Sequence, residues 1–123
     1  MNGIPLRMTR PTVAYECFDI VVVPFPFTDS ATSKRRPALV ISNAESFNLP
    51  AGHSVMAMIT SSENAAWPLD VAISDRNAAG LAAASLVRMK LFTLDNRFIL
   101  RRLGRLATAD RKAVARSLKT LFA

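Results

Sequence analysis

Three features of the chain carry chemistry that could act together. Lys34, Arg35 and Arg36 form an unbroken cationic run directly before Pro37 and the apolar stretch "ALVI". Thr60, Ser61 and Ser62 set three hydroxyls in a row after "VMAMI", and Arg88 and Lys90 lie within the strand-like "SLVRMK". A guanidinium fork matches two phosphate oxygens, a hydroxyl adds a second kind of donor, and nearby cations hold the flanking backbone. The constellation suits a phosphodiester, provided strand ends and their loops converge on one rim.

Other chemistries lack their residues. One histidine and one cysteine cannot build a Cys/His zinc site, and neither HExxH nor CxxC occurs. With four glycines there is no P-loop and no GxGxxG, and no GxSxG marks a serine nucleophile. The carboxylates are dispersed, so a two-metal nuclease site gathered from Asp19, Asp70 and Asp75 has no local support. No cofactor and no metal are expected. His53 has the right intrinsic pKa for proton transfer but stands at the far end of its strand from Thr60, roughly 20 Å away, and reads as an inert loop residue.

The elements that must position these groups are short and mainly β. Asp19–Val23 predicts a first strand, ended by Pro24 and Pro26; Pro37–Ser42 predicts a second, with Pro37 as its first residue. "NAESFNLPAGH" reads as a turn-rich link. His53–Thr60 predicts a third strand, with Val55, Ala57 and Ile59 on one face and Met56, Met58 and Thr60 on the other. Asp70–Ile73 follows as a short strand. "SDRNAAGLAAA" is irregular or a helical turn ending near Gly80, and Ser85–Lys90 and Phe98–Arg102 read as strands on either side of "LFTLDN". From Thr108, expected as an N-cap, the period becomes helical: Val114, Leu118, Leu121 and Phe122 share a stripe and Asp110 complements the dipole in the first turn. The fold class expected is mainly β with helices (α+β), a small barrel or compact sheet with a carboxy-terminal amphipathic helix. Residues 1–17 read as a flexible amino-terminal arm and 18–123 as a single domain.

Composition bounds the partners. The chain has 123 residues and is 50% hydrophobic and 20% charged, a globular balance that needs no staple. Its longest apolar run, Ile20–Phe27, falls well short of the ~20 residues of a membrane span. No secretion signal is read, and the lone Cys17 gives no argument for an oxidising compartment, so a soluble cytoplasmic protein with no membrane partner is expected. Sixteen Lys and Arg against nine Asp and Glu leave a formal +7, which favours a polyanion.

The segments "FDIVVVPFPFTD", "KRRPALVIS", "MAMITS", "WPLDV" and "SLVRMKLFTLDNRFILRRLGRL", in that order from about Phe18 onward, resemble the MazF/PemK family of toxin endoribonucleases of toxin–antitoxin operons. The resemblance implies a small SH3-like barrel (MazF/PemK/CcdB-like), a homodimer, metal-free cleavage of single-stranded RNA, and neutralisation by an antitoxin with an acidic, disordered segment. It puts the catalytic positions on Arg36 and Thr60. In-line attack by a 2′-hydroxyl builds negative charge on phosphorane oxygens, which a guanidinium and a hydroxyl donor stabilise. Lys34, Arg35, Ser61, Ser62, Trp67, Arg88 and Lys90 are the expected RNA contacts.

The chain departs from the family pattern where some relatives have Arg-x-Asp, since here the order is Arg88-Met89-Lys90, and the general base stays open. Phe18 and Leu69 stand where relatives usually carry glycine, and Ala84 where they carry proline. Bland roles compete at several positions. Met56 and Met58 suit core or dimer packing, Trp67 can close a barrel end as well as stack a base, and Arg97, Arg101, Arg102 and Arg105 suit a solvated edge as well as a groove. Arg111, Lys112, Arg116 and Lys119 are assigned no function. Two other readings share the fold: a non-catalytic CcdB-like inhibitor of DNA gyrase, and an RNA-binding barrel that no longer cleaves.

Overall fold

Alternating apolar residues bury one sheet face with every second side chain. In the computed structural model, which describes residues 14–24 and 34–123, they form six strands in one antiparallel sheet. Strands β1 (Asp19–Pro24), β2 (Arg35–Val40), β3 (His53–Ser61), β4 (Val71–Ala72), β5 (Ser85–Asp95) and β6 (Arg101–Arg105) lie in the order β4-β5-β3-β2-β1-β6. The helices are α1 (Leu49–Ala51), α2 (Arg76–Ala79) and α3 (Thr108–Phe122). The sheet curls into a half-barrel, and the terminal helix is present as the sequence leads one to expect.

Apolar residues are buried on both faces. One face carries Ile20, Leu39, Ala57, Ile59 and Val87 and packs on Val114 and Leu118 of α3. The other carries Val21, Val23, Ala38, Val40, Met56 and Phe92, with Tyr15 and Met58 against them. The two faces read from β3 therefore belong to two cores, which divide Ala57 and Ile59 from Met56 and Met58.

Several boundaries differ from expectation. β5 runs unbroken through "LFTLD", because Phe92 and Leu94 face Met56 and Ser54 and so continue the ladder. Ala57 faces Leu91 but Met58 faces Arg88, so Met89 and Lys90 bulge from the pairing. Phe98 closes a 3-10 turn, Asn96–Phe98, and β6 begins only at Arg101. The link after β2 is helical rather than turn-rich: a wide turn, Ala44–Asn48, is capped by the Asn43 side chain and runs into α1. Buried Asn48 fastens it, donating to the carbonyls of Tyr15 (2.8 Å) and Ser42 (3.1 Å). The arm expected over 1–17 falls outside the described residues as far as residue 13.

α3 has Ala107, not Thr108, at its cap position, with no side-chain cap bond. Asp110 instead reaches out of the helix. Its carboxylate accepts from the backbone N–H of Ser74 (3.0 Å) and Asp75 (3.1 Å) and from the Ser74 hydroxyl (2.7 Å), joining α3 to the segment before α2. The apolar stripe is buried only as far as Leu118; Leu121 and Phe122 are 39% and 72% exposed. α2 seats on β6 through two glycines, since a Cβ on Gly80 or Gly104 would meet backbone at 2.1 or 2.4 Å.

Both positions where glycine is usual in the resembled family, Phe18 and Leu69, have positive φ here (77° and 67°). Phe18 is held there by two backbone bonds, its N–H to Val40 (2.7 Å) and its carbonyl from Leu106 (3.1 Å). Leu69 is the third residue of the turn Trp67–Asp70, closed by Asp70 N–H to the Trp67 carbonyl (3.3 Å). Proline second and positive φ third are the marks of a type II turn.

Candidate active site

Pro37 decides how β2 meets β3. Ile41 N–H donates to the Val55 carbonyl (2.9 Å), and donors toward one neighbour alternate along a strand, so odd-numbered residues of β2 point their N–H at β3. Pro37 reaches that side with no hydrogen to give. The β2–β3 ladder accordingly stops at Ala38 opposite Met58, while pairing with β1 continues to Arg35 opposite Pro24. Continued two steps beyond that last pair, the same register would set Arg36 level with Thr60, on the face that holds Ala38 and Met58. The two residues expected to be catalytic are thus related by an extended register rather than by a bonded pair, and Thr60 itself is paired with Leu86 of β5.

Thr60 is half-buried, and its Oγ1 accepts from Asn64 Nδ2 at 2.5 Å. That contact occupies an acceptor site and leaves the hydroxyl proton for another group. Asn64 is reached through a tight turn in which Asn64 N–H donates to the Ser61 carbonyl (3.1 Å) and Glu63 N–H to Ser61 Oγ (3.2 Å). Ser61 and Ser62 are exposed there. Asn64 was not among the expected site residues; an amide in a turn four residues after the threonine was its only signal.

Arg88 lies opposite Met58, one alternate position from the Thr60–Leu86 pair. Its side chain is 9% exposed and its guanidinium grips Asp70 with Nε–Oδ1 at 3.1 Å and Nη2–Oδ2 at 2.9 Å. Nη2 also donates to the Ala65 carbonyl at 2.6 Å. Burial alone would raise the Asp70 pKa, but hydrogen bonds from Arg88 and the Trp67 N–H, with the positive charge of Arg88, hold it below the usual carboxylate value. Asp70 is thus the carboxylate that pairs with Arg88, and it is occupied by that pairing and by the Trp67 N–H. The Trp67 ring has Arg88 Cζ at 5.3 Å and Lys90 Nζ at 5.8 Å from its centroid, and Trp67 is 44% exposed.

Lys34 and Arg35 are exposed, and Arg35 opposes Pro24 of β1 while Arg36 opposes Val23. Arg35 and Arg36 nonetheless line one cleft of about 440 Å³ together with Val22, Pro37, Leu100 and Arg101. Three more arginines have carboxylate partners. Arg105 and Arg102 converge on buried Asp19 (3.0 and 3.3 Å), and Arg97 pairs with Asp95, whose pKa its guanidinium and N–H lower to about 2. His53 lies at the start of β3 opposite Asp95, with Nδ1 3.0 Å from the Ala51 carbonyl. Among the described residues no three His, Cys, Asp or Glu side chains are grouped to hold a metal, and no helix is long and apolar enough to cross a membrane.

The family described as PemK-like, MazF-like toxin of type II toxin-antitoxin system matches residues 16–122. MazF from Deinococcus radiodurans (Form-I) is similar in fold, with TM-score 0.70 and 20% identity over 90% of this chain and 98% of that one. MazE-MazF from the same organism (Form-III) gives TM-score 0.71 and 22% identity over 89% and 97%. An endoribonuclease in complex with its cognate antitoxin, from a mycobacterial species, gives 0.69 and 18% over 89% and 95%. Among curated proteins none matches.

Proposed function

Because the chain belongs to the PemK-like, MazF-like toxins of type II toxin–antitoxin systems, we propose that it is a sequence-selective, metal-independent endoribonuclease that cuts single-stranded mRNA and arrests growth unless an antitoxin neutralises it. The observation that carries this reading is the end of the β2–β3 ladder at Ala38 and Met58, two residues short of Arg36 on one strand and of Thr60 on the other, whose shared register would put both on one face. A phosphate between them would receive a guanidinium from one strand and a hydroxyl from the other.

The ribose 2′-hydroxyl attacks the adjacent phosphorus in line, forming a 2′,3′-cyclic phosphate as the P–O5′ bond breaks. Arg36 and the Thr60 hydroxyl stabilise the charge on the non-bridging oxygens where it develops. Arginine is already protonated at neutral pH and cannot accept the 2′-hydroxyl proton, so Arg36 serves mainly electrostatics and secondarily as a proton donor to the departing 5′-oxygen; the 2′ proton goes to a base to which no residue is assigned. Lys34, Arg35, Ser61, Ser62 and Lys90 hold the flanking strand. Similar folds known as an endoribonuclease with its cognate antitoxin and as MazE-MazF support both the activity and the antitoxin as partner. An acidic, disordered antitoxin segment suits the +7 chain, and a homodimer and a cytoplasmic site of action follow the family.

The test is incubation of wild type and Arg36→Ala with a long, weakly structured RNA in EDTA, with the cut ends mapped. Cyclic-phosphate ends from wild type and near silence from the variant are expected. Cutting that needs a divalent metal, or none by wild type, would overturn the reading.

A further inference from the structure

Trp67 is the only tryptophan in the chain, and it is both exposed and fastened. Its backbone N–H donates to Asp70 Oδ2 at 2.8 Å, the same oxygen that accepts from Arg88 Nη2 at 2.9 Å. Arg88 Nη2 also takes the Ala65 carbonyl, so one buried guanidinium ties down the segment on both sides of the indole. Pro68 restricts the backbone of Trp67, and the type II turn closed at Asp70 sets its direction. Flexible loops do not ordinarily hold an aromatic this firmly while leaving 44% of it open to solvent.

The direction is informative. Arg88 faces Met58 and the next alternate pair is Leu86 with Thr60, so the indole rests on the same sheet face as Thr60. Lys90, near the ring and exposed, brings to this corner the charge that a nucleic-acid backbone requires, while the charge of Arg88 is met by Asp70. A half-open indole among cations is the arrangement that stacks unpaired bases in single-strand binders.

We infer that Asp70 and Arg88 form a clamp that presents Trp67 as the stacking platform for one unpaired base beside the scissile phosphate, with Lys90 meeting the backbone there. The inference rests on the endoribonuclease reading and deepens it. Trp67 touches substrate, whereas Asp70 is a positioning residue acting through Arg88 and the Trp67 backbone. Stacking is present before and during the reaction, so its loss raises KM more than it lowers kcat.

The single tryptophan makes the test direct. Titrating wild type with random-sequence 2′-O-methyl RNA dodecamers, which bind but cannot be cut, should quench or shift its emission at saturation. Trp67→Ala should raise KM for RNA cleavage about tenfold or more with kcat changed severalfold at most, and Trp67→Phe should recover most of the loss. Asp70→Asn, which keeps shape while losing charge, should lower the emission anisotropy of the free protein and raise KM, with the Arg36-dependent step intact. Unchanged emission when RNA is bound, or an unchanged KM in Trp67→Ala, would overturn the platform. Wild-type anisotropy in a folded Asp70→Asn would overturn the clamp. Cleavage by wild type without these signals rejects the clamp alone; neither binding nor cleavage rejects both it and the endoribonuclease reading.

Discussion

Asn64 donates its side-chain amide to the Thr60 hydroxyl at 2.5 Å, so the threonine proposed to stabilise the transition state is oriented by a residue four positions along the chain. With that acceptor site filled, the Thr60 hydroxyl keeps its proton for an acceptor such as a phosphate oxygen. Asn64→Ala frees the hydroxyl to rotate, and one hydrogen bond is worth about 1 kcal/mol. Single-turnover cleavage is expected to slow roughly fivefold. Thr60→Val, of the same shape, should cost on the order of a hundredfold, and Thr60→Ser should keep most activity.

Arg36 should tolerate no substitution by another cation. Its fork can address two phosphate oxygens in one plane, and an ammonium cannot. Arg36→Ala is expected to lower the cleavage rate by on the order of a hundredfold or more. Arg36→Lys should recover only a small part of that, read from single-turnover rates at saturating RNA. Full recovery would reduce its role to that of a point charge.

Lys34 is exposed just ahead of Arg36, where it can reach a flanking phosphate. Lys34→Ala should weaken RNA binding evenly across sequences. The slope of log K against log salt for single-stranded RNA should become shallower by about 0.7. A set of binding titrations over a range of salt concentrations measures both.

Phe18 and Leu69 share a backbone conformation but not a response to glycine. Each spends about 1–2 kcal/mol in the left-handed region. Leu69 is a turn residue outside the core clusters, so Leu69→Gly should stabilise the protein by about 0.5–1 kcal/mol, with Leu69→Ala as a control that keeps the strain. Phe18 packs against the core, and losing such a ring costs about 3 kcal/mol, more than the relief. Phe18→Gly should therefore lower stability. Urea denaturation with both variants would reveal the opposite signs.

Asp110 makes stability depend on pH. Burial raises its pKa, but the hydrogen bonds from Ser74 and Asp75 more than offset this, so the folded value lies below the unfolded one. The unfolded chain then binds the proton more readily, and stability rises with pH across that window. The contribution is complete above the unfolded value of about 3.9 and is lost as pH falls through the folded one. Asp110→Ala should cost about 2 kcal/mol at neutral pH, with the gap to wild type closing in acid. Melting both proteins from pH 7 to pH 3 tests the sign.

The faces of β3 were legible because alternation is a local property, and the two cores divide Met56 from Ala57 as the pattern requires. Arg36 and Thr60 were picked out by resemblance, while the register that relates their strands is one that no local pattern contains. The Asp70–Arg88 pair joins residues 18 apart, so no local spacing announces it. β5 was cut short because Thr93 and Asp95 look like a break, yet they lie within its ladder with β3. Thr108 had the chemistry of a cap, but Asp110 found better donors outside its own helix at Ser74 and Asp75.

Pro37 also has a meaning for the sheet as a surface. Two bonded strands close like a zipper, and here the zipper ends at Ala38 and Met58 because the next residue on that side has no hydrogen to give. That stop is written into the covalent structure of one ring, so neither salt nor pH can supply the missing bond, and the end of the ladder keeps its place along the strand.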